Sequence, residues 1–374
     1  AELALLRNHG HNVAVYKRHN DELKLKSKLF AAANAMWSMQ SVREIAELCE
    51  HFQPNLIHAH NTFPLISPSL NWVAARRQIP MVHTLHNFRL LCPQGNFLRD
   101  GNICEDCLGA IPWRAMTRRC YRSSAIQSAV SASVLSVHRG IGSYHALGTH
   151  YIALSEFCRN KFITGGFASE HLSVKPNFVF SEQTPSWTHR QGAAFVGRLS
   201  PEKGLELLIE ALRQLPAHPI KVVGTGPQNA IAKEYFQHQY LGYQSHENVL
   251  RLLNGLQFLV APSTCYETFG LSIVEAFSCG TPVIASRLGT FAELVKDGVT
   301  GLLFNPGDAT DLANKIAWAF AHPNEMLTMG QAARLEYEMH YTPERNYNML
   351  IEIYAHTIQR SRYAKDKQGE HLRA

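Results

Sequence analysis

Two glutamates, Glu267 and Glu275, stand with seven residues between them in the stretch Ala261 to Val283, APSTCYETFGLSIVEAFSCGTPV. A carboxylate accepts two hydroxyl hydrogen bonds, and a ribose presents two adjacent hydroxyls. Phe269-Gly270-Leu271-Ser272 reads as the turn into a helix that carries Glu275. The first N–H groups of a helix lack intrahelical partners and carry the positive end of its dipole. Gly270 is expected to let a ligand oxygen approach that backbone, which suits a phosphate or a sugar hydroxyl. A competing reading makes Ser272-x-x-Glu275 a capping box, with Glu275 serving its own helix end. The local pattern does not choose between the two.

Other residues of chemical interest fall into three groups. Gly197-Arg198-Leu199-Ser200-Pro201-Glu202-Lys203-Gly204 follows a strand and opens a helix, with Ser200 as N-cap and Pro201 as first helical residue. Arg198 and Lys203 then bracket a helix start, where charge and N–H groups together hold a diphosphate. Alone, both read equally as solvated surface cations. Gly224-Thr225-Gly226-Pro227 follows another strand and suits close ligand approach, a weak signal by itself. Upstream, His58-Ala59-His60-Asn61 and His83-Thr84-Leu85-His86-Asn87 each close a strand. Side chains at strand C-terminal ends face the ligand side of an open α/β sheet. Alternation is expected to turn His58 and His83 to the other face, as structural residues.

The third group is Cys92-x11-Cys104-x2-Cys107-x12-Cys120, a C-x2-C knuckle with near-symmetric flanking cysteines. This is the spacing of a structural tetrathiolate zinc site, with unbridged thiols or disulfides as alternatives. Disulfides rank low in a cytoplasmic protein, and no secretory leader is visible. Cys49, Cys158, Cys265 and Cys279 sit in apolar contexts and read as core thiols.

The elements that must position these groups alternate along the chain. Asn12 to Tyr16, Leu56 to His60, Met81 to Leu85 and Tyr151 to Leu154 read as buried parallel strands. Ser181 to Gly192 reads as a linker. The alternation then restarts with strand 193–196, helix 201–215 and strand 220–223. Strands 257–261, 282–285 and 301–304 and helices 308–321 and 344–362 follow a weakly patterned stretch. Two α/β halves follow from this, with domains at 1–180 and 193–345 and a C-terminal helix, 346–374, packing back toward the first. The 374 residues are 45% hydrophobic and 18% charged, an ordinary globular composition with ample core. A net charge of +6 with pI near 8.9 fits anionic substrates or an anionic membrane surface. It is too diffuse to indicate nucleic acid, and no basic-aromatic stripe accompanies the cysteines. Lys17, Arg18, Lys24, Lys26 and Lys28 form either a solvated helix face or a peripheral membrane contact. No apolar run reaches the roughly 18 residues of a membrane span.

The motifs FVGRLSPEKGLELLIEAL, VVGTGP, APSTCYETFGLSIVEAFSCGTPVIAS and LVKDGVTGLLFNPGD resemble, in order and spacing, the retaining glycosyltransferases of family 4 with the GT-B fold. That resemblance implies two Rossmann-like domains facing each other across a cleft. It implies that Arg198 and Lys203 bind the diphosphate of a nucleotide-sugar, and that Glu275 binds the ribose. Glu267, with the backbone at Phe269 to Leu271, would bind the donor sugar's hydroxyls. A family histidine matching His86 contacts the donor sugar near its reacting carbon, and His60 would shape the same cleft. Leu288-Gly289-Thr290-Phe291-Ala292-Glu293 departs from the family's Gly-Gly-x-Pro-Glu pattern.

The stretch from Asn61 through the cysteine-bearing insertion, 92–120, is similar to a subgroup associated with bacterial surface polysaccharide assembly. The insertion would then serve as a lid or acceptor platform. Ala1-Glu2 resembles the tail of the family's Gly-Gly-Ala-Glu loop, so the N-terminus reads as truncated, with the first strand missing. The implied activity is transfer of a sugar from a UDP- or GDP-linked donor to a glycan or lipid-linked acceptor. The implied place is the cytoplasm, at the inner face of the membrane. No catalytic metal is expected, because the cations Arg198 and Lys203 and a helix N-terminus stabilise the leaving diphosphate. An epimerase or hydrolase on the same fold, or an inactive nucleotide-binding protein, are the other readings. Glu267 as a nucleophile is the mechanistic rival to front-face attack.

Overall fold

The computed structural model describes residues 1–19, 21–22, 28–145, 148–216 and 219–371. Among these, twelve strands run in chain order: β1 (Ile57–His60), β2 (Met81–Thr84), β3 (Leu98–Arg99), β4 (Asn102–Ile103), β5 (His150–Ala153), β6 (Leu172–Val174), β7 (Ala193–Val196), β8 (Ile220–Val223), β9 (Tyr240–Gly242), β10 (Phe258–Ala261), β11 (Val283–Ser286) and β12 (Gly301–Phe304). The chain divides into two compact units. An N-terminal unit holds Glu2–Asn96, Glu105–Lys175 and the chain from Tyr347 onward. A C-terminal unit holds Phe97–Cys104 and Pro176–Asn346, together with Ala1.

The N-terminal unit is built on a parallel sheet of order β1-β2-β5-β6. β2 and β5 are buried along their whole length, as expected of parallel strands covered on both faces. Three of its helices start on serines whose side chains accept backbone N–H groups: Ser38 from Ser41, Ser124 from Gln127 and Ser155 from Cys158. The long helix Pro343–His371 sends Leu350 and Ile353 into a cluster with Leu6, Val82 and Ile152. Full burial of one such side chain stabilises by roughly 1.5–3 kcal/mol, which anchors this helix on the sheet of the N-terminal unit. Asn12–Tyr16, expected as a strand, joins no ladder among the described residues. Val13 and Tyr16 instead supply apolar contacts to two neighbouring clusters.

The C-terminal unit holds a six-stranded parallel sheet of order β12-β11-β10-β7-β8-β9. Phe195, Val222, Phe258, Val260, Ile284 and Phe304 from its strands pack with Leu205, Leu208, Leu312 and Ile316 from two helices. The expected helix 201–215 is shorter: a 3-10 turn covers Pro201–Lys203 and the α-helix runs Leu205–Leu212. Gly204, at φ +77°, separates them, and a Cβ there would stand 2.0 Å from the Pro262 carbonyl oxygen. The stretch that looked weakly patterned folds as two short helices, Asn229–Phe236 and His246–Leu253, on either side of β9. The expected linker 181–192 belongs to this unit. Just before it, Val179 accepts from the Tyr337 hydroxyl at 2.9 Å. No helix among the described residues is long and apolar enough to cross a membrane.

Candidate functional site

Strand order in the C-terminal unit reverses between β7 and β10, which lie side by side. Ligands of open α/β sheets bind outside the strand C-terminal ends at such a switch point. Arg198 and Lys203 follow β7; Glu267, Phe269, Gly270 and Leu271 follow β10; Gly224 and Gly226 follow β8. Topology alone therefore gathers the candidates that lie far apart in sequence.

Lys203 Nζ lies 2.6 Å from Glu267 Oε1, and Ser263 Oγ donates to the same oxygen at 2.9 Å. Burial works to lower the Lys203 pKa, but the charge and hydrogen bond of Glu267 outweigh it and leave the ammonium above its ordinary value. The Lys203 ammonium is thus charged. Thr290 Oγ1 donates to the Glu267 backbone oxygen at 2.7 Å, so the segment that departs from the family pattern braces this glutamate. Arg198 is exposed, and among the described residues no hydrogen bond or ion pair engages its side chain. Ser200 does not cap the following helix; its hydroxyl donates to Glu202 at 2.6 Å.

Glu275 lies in the helix Leu271–Ser278, whose N-cap is Gly270 with no side-chain capping bond. The capping box is therefore not formed. Glu275 accepts instead from His246 Nδ1 at 3.1 Å. Burial raises its pKa, and the charge of His246 opposes that shift. Gly270 has φ −124°, and a Cβ there would meet Ile273, Leu294 and Phe291 side chains at 3.0 Å each. Packing therefore constrains this glycine whatever its backbone binds. Gly224, at φ +135°, and Gly226 pack backbone to backbone against Gly197 and Leu199, where a Cβ would fall 1.8 Å and 2.2 Å from carbonyl oxygens. Both glycines thus clamp the Arg198 loop.

In the N-terminal unit, β1 and β2 pair with His60 opposite Thr84, which aligns their C-terminal ends. His60 Nδ1 consequently lies 2.7 Å from His86 Nε2. His60 Nε2 lies 3.2 Å from Glu2 Oε2, and Glu2 Oε1 pairs with the fully buried Lys175 at 2.7 Å. Burial would raise the Glu2 pKa, but the contacts of His60, Lys175 and His58 hold it far below the usual carboxylate range. His86 is pulled down to about 4 by burial and by His60. His58 does not turn away: residues two apart on a strand share a face, and its ring lies 4.2 Å from that of His60. It is a structural residue all the same, with Nδ1 at 2.6 Å from Tyr354 Oη and Nε2 at 2.7 Å from Thr84 Oγ1. His83 is buried, its pKa drawn down to about 3 by burial. The pairing of Glu2 with Lys175 is non-local, and sequence patterning does not foretell it.

The structure does not support the four-cysteine zinc site. Among the described residues, the group whose potential metal-ligand atoms converge within 4.8 Å is Glu2, His58 and His60. Cys92, Cys107 and Cys120 lie in the N-terminal unit without such convergence, while Cys104 closes the β3–β4 hairpin of the C-terminal unit. No disulfide joins any of the eight cysteines. Of the basic segment, Arg18 is buried and paired with Glu22 at 2.6 Å, so it offers no charge to a surface. Lys24 and Lys26 lie outside the described residues, and Lys17 is part of the described chain.

Two parallel, Rossmann-like α/β units, one with its candidate residues at a switch point, define the GT-B class of glycosyltransferase fold. Residues 3–183 match the Glycosyltransferase Family 4 model and residues 181–336 the Glycosyl transferases group 1 model, so the chain carries both domains in succession. An uncharacterised glycosyltransferase of Methanocaldococcus jannaschii is 32% identical over 184 residues, covering 46% of this chain and 52% of that protein. A D-inositol 3-phosphate glycosyltransferase of a Mycobacterium species is 28% identical over 275 residues, covering 70% of this chain and 58% of the relative. The chain thus spans little more than half the length of these curated relatives. Among solved structures, Anabaena HepE in complex with UDP-glucose superposes with a TM-score of 0.63 at 21% identity, covering 94% of this chain and 88% of that one.

Proposed function

We propose that the protein is a retaining glycosyltransferase that moves a sugar from a nucleoside-diphosphate sugar to a hydroxyl of a glycan or lipid-linked acceptor, at the cytoplasmic face of a membrane. The observation that carries this reading is the Lys203–Glu267 pair at the switch point of the C-terminal sheet, with Arg198 and Glu275 on the segments that follow the same two strands, β7 and β10. In it, Arg198 and Lys203 hold the diphosphate, Glu275 takes the ribose hydroxyls, and Glu267 with the Phe269–Leu271 backbone takes the sugar. UDP is the favoured carrier, since the similar HepE structure holds UDP-glucose.

The chemistry follows from charge. As the bond from the anomeric carbon to phosphate breaks, negative charge grows on the diphosphate. Two cations and a helix start placed there beforehand stabilise it in the transition state. The departing phosphate oxygen takes the proton of the acceptor hydroxyl, and the new carbon–oxygen bond forms on the face it leaves. His86, neutral at pH 7, serves the sugar as a hydrogen-bond partner rather than as a cation.

Calorimetric titration of the whole chain with UDP, GDP and ADP, repeated on Glu275→Ala, tests the reading. The expected result is roughly micromolar binding of one nucleotide, lost in the variant. Binding of none would sink it. NMR of the product anomer then reads retention directly.

A further inference from the structure

A cavity of about 60 Å³ opens beside His86 in the N-terminal unit. Asn61, Thr62, Asn87 and Arg89 supply its polar wall, and no aspartate or glutamate lines it. Arg89 is the cation of this wall. Its guanidinium lies against the rings of Phe63 and Tyr121, with centroids 4.9 Å and 4.8 Å away, and those two rings meet edge to face. Cation–π contact with both rings restricts the fork and shields it in part from water.

The loop is built around this side chain. Nη1 donates to the Pro93 carbonyl at 2.9 Å, and Asn87 Oδ1 accepts the Arg89 backbone N–H at 3.0 Å. A Cβ at Gly95 would crowd Nη2 at 3.3 Å. Among the described residues, Nε and Nη2 find no protein acceptor and no carboxylate pairs with Arg89, which lines the cavity. Burial lowers its pKa, and neighbouring Arg122 adds repulsion. A largely buried cation with two unused N–H directions and no counter-charge is costly unless an anion completes it.

We propose that this cavity is an acceptor subsite that takes an anionic group, a phosphate or a carboxylate, on the Arg89 fork beside His86. Two N–H groups of one guanidinium match two oxygens of either group. That the anion belongs to an acceptor rests on the transferase reading; that the cavity binds an anion does not.

The test uses the whole chain, with the His86 ring signal in proton–carbon NMR spectra as a local reporter, assigned through His86→Gln. Glycerol phosphate and glucuronate are titrated separately. A saturable shift with one of them is expected, and which one names the anion. In Arg89→Gln the apparent affinity should fall roughly tenfold or more, the loss of a charge-assisted bond, with UDP affinity unchanged. The shift should persist in an Arg198→Ala, Lys203→Ala double variant, which separates it from the diphosphate site. No saturable shift in the unmodified protein overturns the proposal, whether or not Arg89→Gln folds, and so does a shift of equal affinity in Arg89→Gln. If UDP fails to bind while the His86 shift persists, the transferase reading falls and the anion subsite stands.

Discussion

His60 Nδ1 stands 2.7 Å from His86 Nε2, while the far nitrogen of His60 faces Glu2 Oε2 at 3.2 Å. That carboxylate oxygen is buried and receives no well-aligned hydrogen bond, so its charge falls on the His60 ring. A carboxylate held far below its usual range only accepts. With one proton on each ring, the position of the carboxylate favours Nε2, toward Glu2, for that of His60. His60 Nδ1 accepts from His86 Nε2–H, which leaves His86 Nδ1 as an acceptor. Nitrogen-15 NMR at pH 7 should show His86 as the Nε2–H tautomer. In Glu2→Gln both rings should become tautomer mixtures. A His86 Nδ1–H tautomer in the unmodified protein would refute the chain. The same variant strands the buried Lys175 charge, and an unfolding cost of about 3–5 kcal/mol is expected in denaturant titrations.

Lys203 and Glu267 differ in what they should do when removed. The ammonium is raised and charged, and in the proposed function it meets phosphate. Lys203→Met should weaken UDP binding by roughly tenfold to hundredfold, the worth of a charged hydrogen bond. Glu267→Gln should leave UDP affinity nearly unchanged while turnover falls by roughly hundredfold. Glu267 Oε1 is already held by Lys203 and Ser263. Intact mass spectrometry with donor present should therefore show no glycosyl adduct on the chain. An adduct at Glu267 would establish the nucleophile route instead.

Acid should weaken the N-terminal unit before neutral charge balance suggests it. His86 and His150 are drawn down to about 4 and His83 to about 3, in each case chiefly by burial. The folded state keeps these rings neutral, while the unfolded chain protonates them near 6.5. Between those values the unfolded state binds more protons, so stability is full above about pH 6.5 and declines as pH falls toward 4. For His86 alone the loss by pH 4 is roughly 3 kcal/mol. The urea midpoint should fall between pH 7 and pH 5, with hydrogen exchange rising first around β2 and β5. A midpoint constant over that range would show that the rings are not held neutral.

Sequence carried the C-terminal unit well because its signals are local. Gly204 and Gly224 sit where φ is positive, strands β7, β8, β10 and β12 are short apolar runs, and Asp308 caps Ala309–Ala321 through its own side chain. The helix Pro323–His340 carries a weak periodic signal, since Gly330 and Ala333 dilute the stripe of Met326, Met329 and Tyr337. What patterning cannot hold is pairing between distant residues. Glu2 finds Lys175 across 173 positions and His58 finds Tyr354 across 296. The cysteine knuckle shows the converse: its spacing suits a metal, yet Cys104 and the hairpin Leu98–Ile103 belong to one unit and Cys92, Cys107 and Cys120 to the other.

Gly270 separates a packing role from a binding role in one substitution. A Cβ at this position meets the ends of Ile273, Leu294 and Phe291 at 3.0 Å, tight but against side chains that can shift by a few tenths of an ångström. Its φ of −124° is open to any residue, so no backbone strain arises. Gly270→Ala should therefore cost about 1–3 kcal/mol of stability through overpacking, with UDP affinity within threefold of the unmodified protein. Gly224→Ala should behave differently. Its Cβ would fall 1.8 Å from the Gly197 carbonyl oxygen, a backbone atom that cannot yield without moving the Arg198 loop. UDP affinity should then drop together with stability. Paired denaturant melts and UDP titrations on both variants distinguish the cases. A loss of UDP binding in Gly270→Ala at unchanged stability would return this glycine to the ligand.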